Sequence, residues 1–125
     1  MFNTIYYETK EGKCPSRDFI LSCDASMHAK ILGNTQVLRE KGNLLREPYS
    51  KHLEDGIFEL RSKVGSNISR VMFFFYYNQT IVFTNGFMKK SQRTPKSEIE
   101  LAKKYRKDFI ERMENNDYIW WCFEW

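Results

Sequence analysis

The residues with the most chemical reach in this chain are cationic: Arg61, Arg70, Lys89, Lys90, Arg93 and Lys96. Arg61 lies in an alternating stretch, Phe58-Glu59-Leu60-Arg61-Ser62-Lys63, and Arg70 comes early in the next β-prone run after a Gly65-Ser66-Asn67 turn. A hairpin at that turn brings the two arginines onto neighbouring strands. A third strand ending near Met88 delivers Lys89-Lys90 to the same rim, with Arg93 and Lys96 in the loop beyond. Cations gathered at one end of a sheet repel one another unless an anion sits among them, and a phosphodiester is the obvious candidate. With RNA, the ribose 2′-OH can attack its own 3′-phosphate. The protein then has to position the backbone, remove one proton and stabilise a developing dianion, with no metal or cofactor required. Arg61 and Arg70 suit the phosphate as bidentate donors, and Lys89 or Lys90 suits proton transfer if neighbouring charge lowers its pKa. Glu59, two residues before Arg61 on the same strand face, is either a rival base or Arg61's ion-pair partner. His28 and His52 have no nucleophile or carboxylate at a diagnostic spacing.

Each of these residues also has a plainer reading. A strand arginine is usually a solvated or ion-paired surface group. The cations Lys103, Lys104, Arg106 and Lys107 alternate with Glu98, Glu100, Asp108 and Glu111 as on a solvated helix face. The run Phe73-Phe74-Phe75-Tyr76-Tyr77 reads as core.

The elements that must hold the cluster follow from periodicity. Residues 3–8 read as a short strand, followed by a turn over Lys10–Pro15. Ser16 is placed to cap a helix carrying Phe19, Ile20 and Cys23 inward. Asp24 is placed to cap a second helix running to Gly42, with Met27, Ile31, Thr35 and Leu38 on one face. Asn43 to Gly56 reads as a compact connection punctuated by Pro48 and Asp55-Gly56. From Ile57 the period becomes two. Three strands in a meander are expected, the later two apolar on both faces like covered central strands. Ser97-x-x-Glu100 has the form of a capping box opening a helix to about Met113, with Ala102, Tyr105, Phe109 and Met113 as its buried stripe. The aromatic ending after Met113 is expected to pack rather than trail in solvent.

The 125 residues, 42% of them hydrophobic, suffice for one core and not for two, so a single domain over 1–125 is expected, with 114–125 as an extension. Net charge is only +4, from 20 Lys/Arg against 16 Asp/Glu, so placement matters more than total. Three cysteines without CxxC spacing argue against a disulfide framework or a zinc site and favour a reducing, cytoplasmic setting. The N-terminus lacks a signal-peptide pattern, and the longest apolar run, Val71 to Tyr77, is too short to span a membrane.

Four blocks carry a resemblance. Tyr49-Ser50-Lys51-His52-Leu53-Glu54-Asp55-Gly56-Ile57-Phe58-Glu59-Leu60-Arg61 resembles the K-x-L-x-x-G-L-x-E-L-R signature of phage-derived RelE/HigB-family toxins. Ile68-Ser69-Arg70-Val71 resembles their Y-R-V strand, and Gly86-Phe87-Met88-Lys89-Lys90 through Thr94-Pro95 their G-F-x-K-K-x-x-x-T-P loop. Glu98-Ile99-Glu100-Leu101-Ala102 is similar to the E-I-x-x-A start of their last helix. The blocks stand in the family's order over about half the chain. The resemblance implies a RelE-like α+β fold: a twisted antiparallel sheet of an N-terminal strand plus the three-strand meander, an N-terminal helical pair and a C-terminal helix. It implies the toxin of a type II toxin-antitoxin system, a ribosome-dependent, metal-free mRNA endonuclease that blocks translation. It also implies an adjacent helix-turn-helix antitoxin, with DNA reached only through that partner, and no membrane. Arg61, Arg70, Lys89 and Lys90 inherit the catalytic assignment by motif position, with Lys51, Lys63, Arg93 and Lys96 as RNA contacts. Ser69 stands where an aromatic is usual and Glu59 where some relatives place a lysine, so the base is not inherited. Two other functions share these features: a ParE-like inhibitor of DNA gyrase, and a binding module without catalysis.

Overall fold

The computed structural model describes residues 1–89 and 93–115. Its elements run β1 (Asn3–Tyr6), α1 (Pro15–Ser22), α2 (Ala25–Lys41), β2 (Ser50–Glu54), β3 (Ile57–Val64), β4 (Asn67–Tyr76), β5 (Thr80–Met88) and α3 (Lys96–Glu114). The five strands form one sheet in the order β1-β5-β4-β3-β2. This is the expected α+β arrangement, with two departures. First, the connection read over Asn43–Gly56 contains β2, paired antiparallel to β3, so the meander has four strands rather than three. Ser50-Lys51-His52-Leu53-Glu54 has a single aliphatic residue and a largely exposed edge position, so it shows no alternation to read. Second, β1 lies parallel to β5, with Ile5 opposite Val82, so the sheet is mixed.

Both faces of the sheet are covered. On one, Ile20 of α1 and Met27, Ile31 and Leu38 of α2 pack with Leu60, Val71, Phe73 and Phe83. On the other, Ala102 and Phe109 of α3 pack with Ile5, Met72, Phe74 and Val82. This three-layer burial is why β4 is apolar on alternate sides along most of its length. Toward the β3–β4 turn, the α3-side face changes from apolar to charged, with Glu59, Arg61, Lys63 and Arg70 following one another there.

The helix ends show where local signals are used. Asp24 caps α2 as expected, accepting from the Met27 N–H at 2.9 Å, and Gly42 closes the helix at φ 55°. Ser16 does not cap α1: its buried hydroxyl donates to the Phe83 carbonyl of β5 at 3.4 Å, tying the helix to the sheet instead. Nor does the Ser97 box form, because α3 begins two residues earlier, at Lys96 behind Pro95, with no side-chain cap. At β5 a bulge sets Thr84 and Asn85 against Met72. The Asn85 amide donates to the Glu98 carbonyl and to Glu98 Oε1 at 3.3 and 3.0 Å, anchoring the first turn of α3.

Among the described residues no helix is long and apolar enough to cross a membrane. Lys90 and the aromatic stretch 116–125 lie outside the described residues.

Candidate functional site

The site grows out of the β3–β4 register. Arg61 and Arg70 are cross-strand partners, so their side chains leave the same face of neighbouring strands, as the hairpin at Gly65 predicts. Two guanidinium groups side by side repel, and Glu59 resolves that conflict. It is fully buried, with its Oε2 2.9 Å from Arg70 Nη1 and 3.4 Å from Arg61 Nε. Arg70 Nη1 also donates to Glu59 Oε1 at 3.0 Å and to the hydroxyl of Thr94, which in turn donates to Glu59 Oε1. Thr94 lies in the segment leading into α3, so the anchored start of the helix closes the arrangement from above.

The two arginines are therefore not equivalent. Arg70 is 2% exposed, and burial pulls its pKa down while Glu59 pulls it back up. A guanidinium remains protonated throughout. Arg61 keeps 23% of its side chain exposed, and its Nη1 reaches the exposed Glu47 at 3.4 Å. Surface contacts of this kind are weak and readily exchanged for a ligand.

Lys89 enters from the end of β5. Its N–H donates to the Ile68 carbonyl at 2.7 Å, continuing the β4–β5 ladder by one step, so its side chain follows Phe87 onto the arginine face. Partial burial lowers the pKa of its amine, and the charges of Arg70, Arg61 and Lys51 lower it further against the opposing pull of Glu59. Five of the residues singled out from the sequence, Lys51, Glu59, Arg61, Arg70 and Lys89, thus sit within electrostatic reach of one another.

Lys51 comes from β2, opposite Glu59 in the register. With Arg70, Arg93, Thr94 and Lys96 it lines a groove of about 480 Å³ between β2 and the start of α3. Lys63 is separate, lining a second hollow at the free edge of β3. His52 contributes to the groove wall, but its ring packs edge-on to Phe58, and its Nε2 accepts the Gly56 N–H at 3.1 Å. Thr94 is the member that sequence reasoning passed over as a reactive-site residue. Its signal was present, in the Thr-Pro pair that closes the basic loop before a helix, but the contact with Glu59 spans 35 positions and leaves no local trace. Among the described residues no cluster of His, Cys, Asp and Glu could hold a metal ion.

The arrangement can thus bind an anion between Arg61, Lys89 and the lysines of the groove. It offers an amine that loses its proton more easily than an ordinary lysine, and it keeps one carboxylate and one guanidinium beneath as fixed support. A family model described as phage derived protein Gp49-like (DUF891) matches residues 18–107, a span that includes every site residue named above. No curated protein matches the chain.

Proposed function

The chain belongs to the Gp49-like family of phage-derived proteins, and on that footing we propose that it is a RelE/HigB-type toxin that cleaves mRNA at the ribosome. What carries the reading is Lys89: an amine with a lowered pKa, beside Arg61 and Arg70, on a face otherwise built to receive an anion. Lys89 takes the proton from the ribose 2′-OH. The 2′-oxygen forms a bond to phosphorus, the bond from phosphorus to the 5′-oxygen breaks, and the departing oxygen takes a proton from water. Arg61 faces the non-bridging oxygens as their charge grows, the kind of stabilisation that acts most strongly at a partly desolvated site.

Glu59 is the support of this machinery rather than its base. A carboxylate buried beneath Arg70, Arg61 and Thr94 has no free approach to a substrate hydroxyl, and its negative charge is spent on its two arginine partners. Arg70 acts through Glu59 in the same way, as a positioning residue. Lys51, Arg93 and Lys96 hold the flanking backbone, and Lys63 meets the strand further along. An antitoxin encoded beside the toxin would silence it by covering this face, and action on mRNA implies a cytoplasmic site of work.

Mapping the 5′ ends of mRNA in a translating extract tests the reading. Ribosome-dependent cuts bearing a 2′,3′-cyclic phosphate and a 5′-hydroxyl are expected. Intact mRNA accompanied by loss of DNA supercoiling would instead assign the protein to gyrase inhibition.

A further inference from the structure

The second hollow is distinct from the groove and has no proton-transfer role in the chemistry above. It has a volume of about 510 Å³ and opens where β2 stops at Ser50 while β3 runs on to Val64, so it sits at the sheet edge beside Arg61. Three features distinguish it from a plain surface depression. Tyr49 on its wall is 43% exposed, an aromatic face held at the surface, and Ile68 supplies a second apolar wall. Asn34 also lines it and is more than nine-tenths buried. Its amide donates to the Arg61 carbonyl at 3.2 Å and to Ser62 Oγ at 3.0 Å. Those two bonds fix the amide's orientation and leave Oδ1 as the acceptor. Lys30 and Lys63 stand at the rim, and Arg61 is common to this hollow and the anion site.

Apolar walls that include an aromatic face, one oriented acceptor and a cationic rim together suit an unpaired nucleobase on its phosphate backbone. Resting on the RNA-cleaving reading, we propose that this hollow receives the base of a nucleotide next to the scissile phosphate, stacked on Tyr49, with Asn34 Oδ1 accepting from an exocyclic amine. The shared Arg61 couples the two sites: a base seated here places its own phosphate against the guanidinium. Adenine, cytosine and guanine carry such an amine and uracil does not, so the hollow selects among bases rather than merely adding affinity.

The test uses uncleavable 2′-deoxy trinucleotides carrying three adenines, three uracils or no bases, with binding measured at low salt. Wild-type protein is expected to bind the adenine trimer about tenfold more tightly than the abasic one, as stacking of one base predicts, and more tightly than the uracil trimer. Tyr49→Phe keeps the adenine-to-abasic ratio and Tyr49→Ala collapses it toward one. Equal wild-type affinity for adenine and abasic trimers overturns the base site while leaving cleavage intact, as does an unchanged ratio in Tyr49→Ala. Equal affinity for adenine and uracil overturns the role of Asn34, and no binding of any trimer overturns this site, whereas the RNA reading stands or falls on ribosome-dependent cutting in the translating extract.

Discussion

At the scale of single residues, the account turns on the division of labour between Glu59 and Lys89. Glu59 and Arg70 are a buried pair, and removing one partner leaves an uncompensated buried charge. Glu59→Ala is therefore expected to lower unfolding stability by about 3–5 kcal/mol in urea titration. A stability within error of wild type would show that Arg70 does not depend on it. Lys89 makes a prediction of a different kind. Because its pKa lies below the ordinary lysine value, the neutral amine appears at lower pH than for a free lysine. If it is the base, cleavage rises with pH and levels off before the ordinary lysine range. Lys89→Arg keeps the positive charge but supplies no neutral amine, so the rising limb is lost and the rate falls about 10²–10⁴-fold. A pH profile unchanged in Lys89→Arg would move the proton transfer elsewhere.

At the scale of elements, the position of α3 decides whether Thr94 meets Glu59. The helix is held by Phe109, fully buried against Phe74 and Tyr76, and by a polar contact at its far end. There Asp108 accepts from the Tyr7 hydroxyl at 2.5 Å and from Arg112 at 2.9 Å. Burial pushes the Asp108 pKa up, but the bonds from Tyr7 and Arg112 outweigh it, and the net value is lowered. A depressed carboxyl pKa contributes stability that is present above the unfolded value, about 4. That contribution is lost as pH falls through the folded value. Asp108→Asn is thus expected to cost about 1–2 kcal/mol at neutral pH, with the gap to wild type closing in acid; a gap that persists below the folded pKa would contradict the assignment. The elements themselves were unevenly legible. Alternation along Phe58–Lys63, the Gly65 turn and the Asp24 cap were readable because each signal is local. β2 was not, since an exposed edge strand needs no apolar face. The serines expected to cap α1 and α3 misled because tertiary contacts took their place: Ser16 bonds to β5, and Asn85 fixes the start of α3.

At the scale of the whole molecule, a chain of modest net charge concentrates its function by arrangement. The sheet brings Lys51, Arg61, Arg70 and Lys89 together from four different strands, β2, β3, β4 and the end of β5, while acidic partners neutralise cations elsewhere, as Glu54 does for Lys103. That convergence could be foreseen from the sequence because hairpin register is set by the turn, whereas the buried status of Arg70 and the bridging hydroxyl of Thr94 depend on how α3 docks. The most direct measurement is the rate of ribosome-dependent mRNA cutting in a translating extract, for wild type, Arg61→Ala and Lys89→Ala, each shown to be folded to the same extent. The account predicts cuts by wild type that fall at least about 100-fold in Lys89→Ala and clearly in Arg61→Ala. Intact mRNA with wild-type protein, or Lys89→Ala cutting at the wild-type rate, would contradict it.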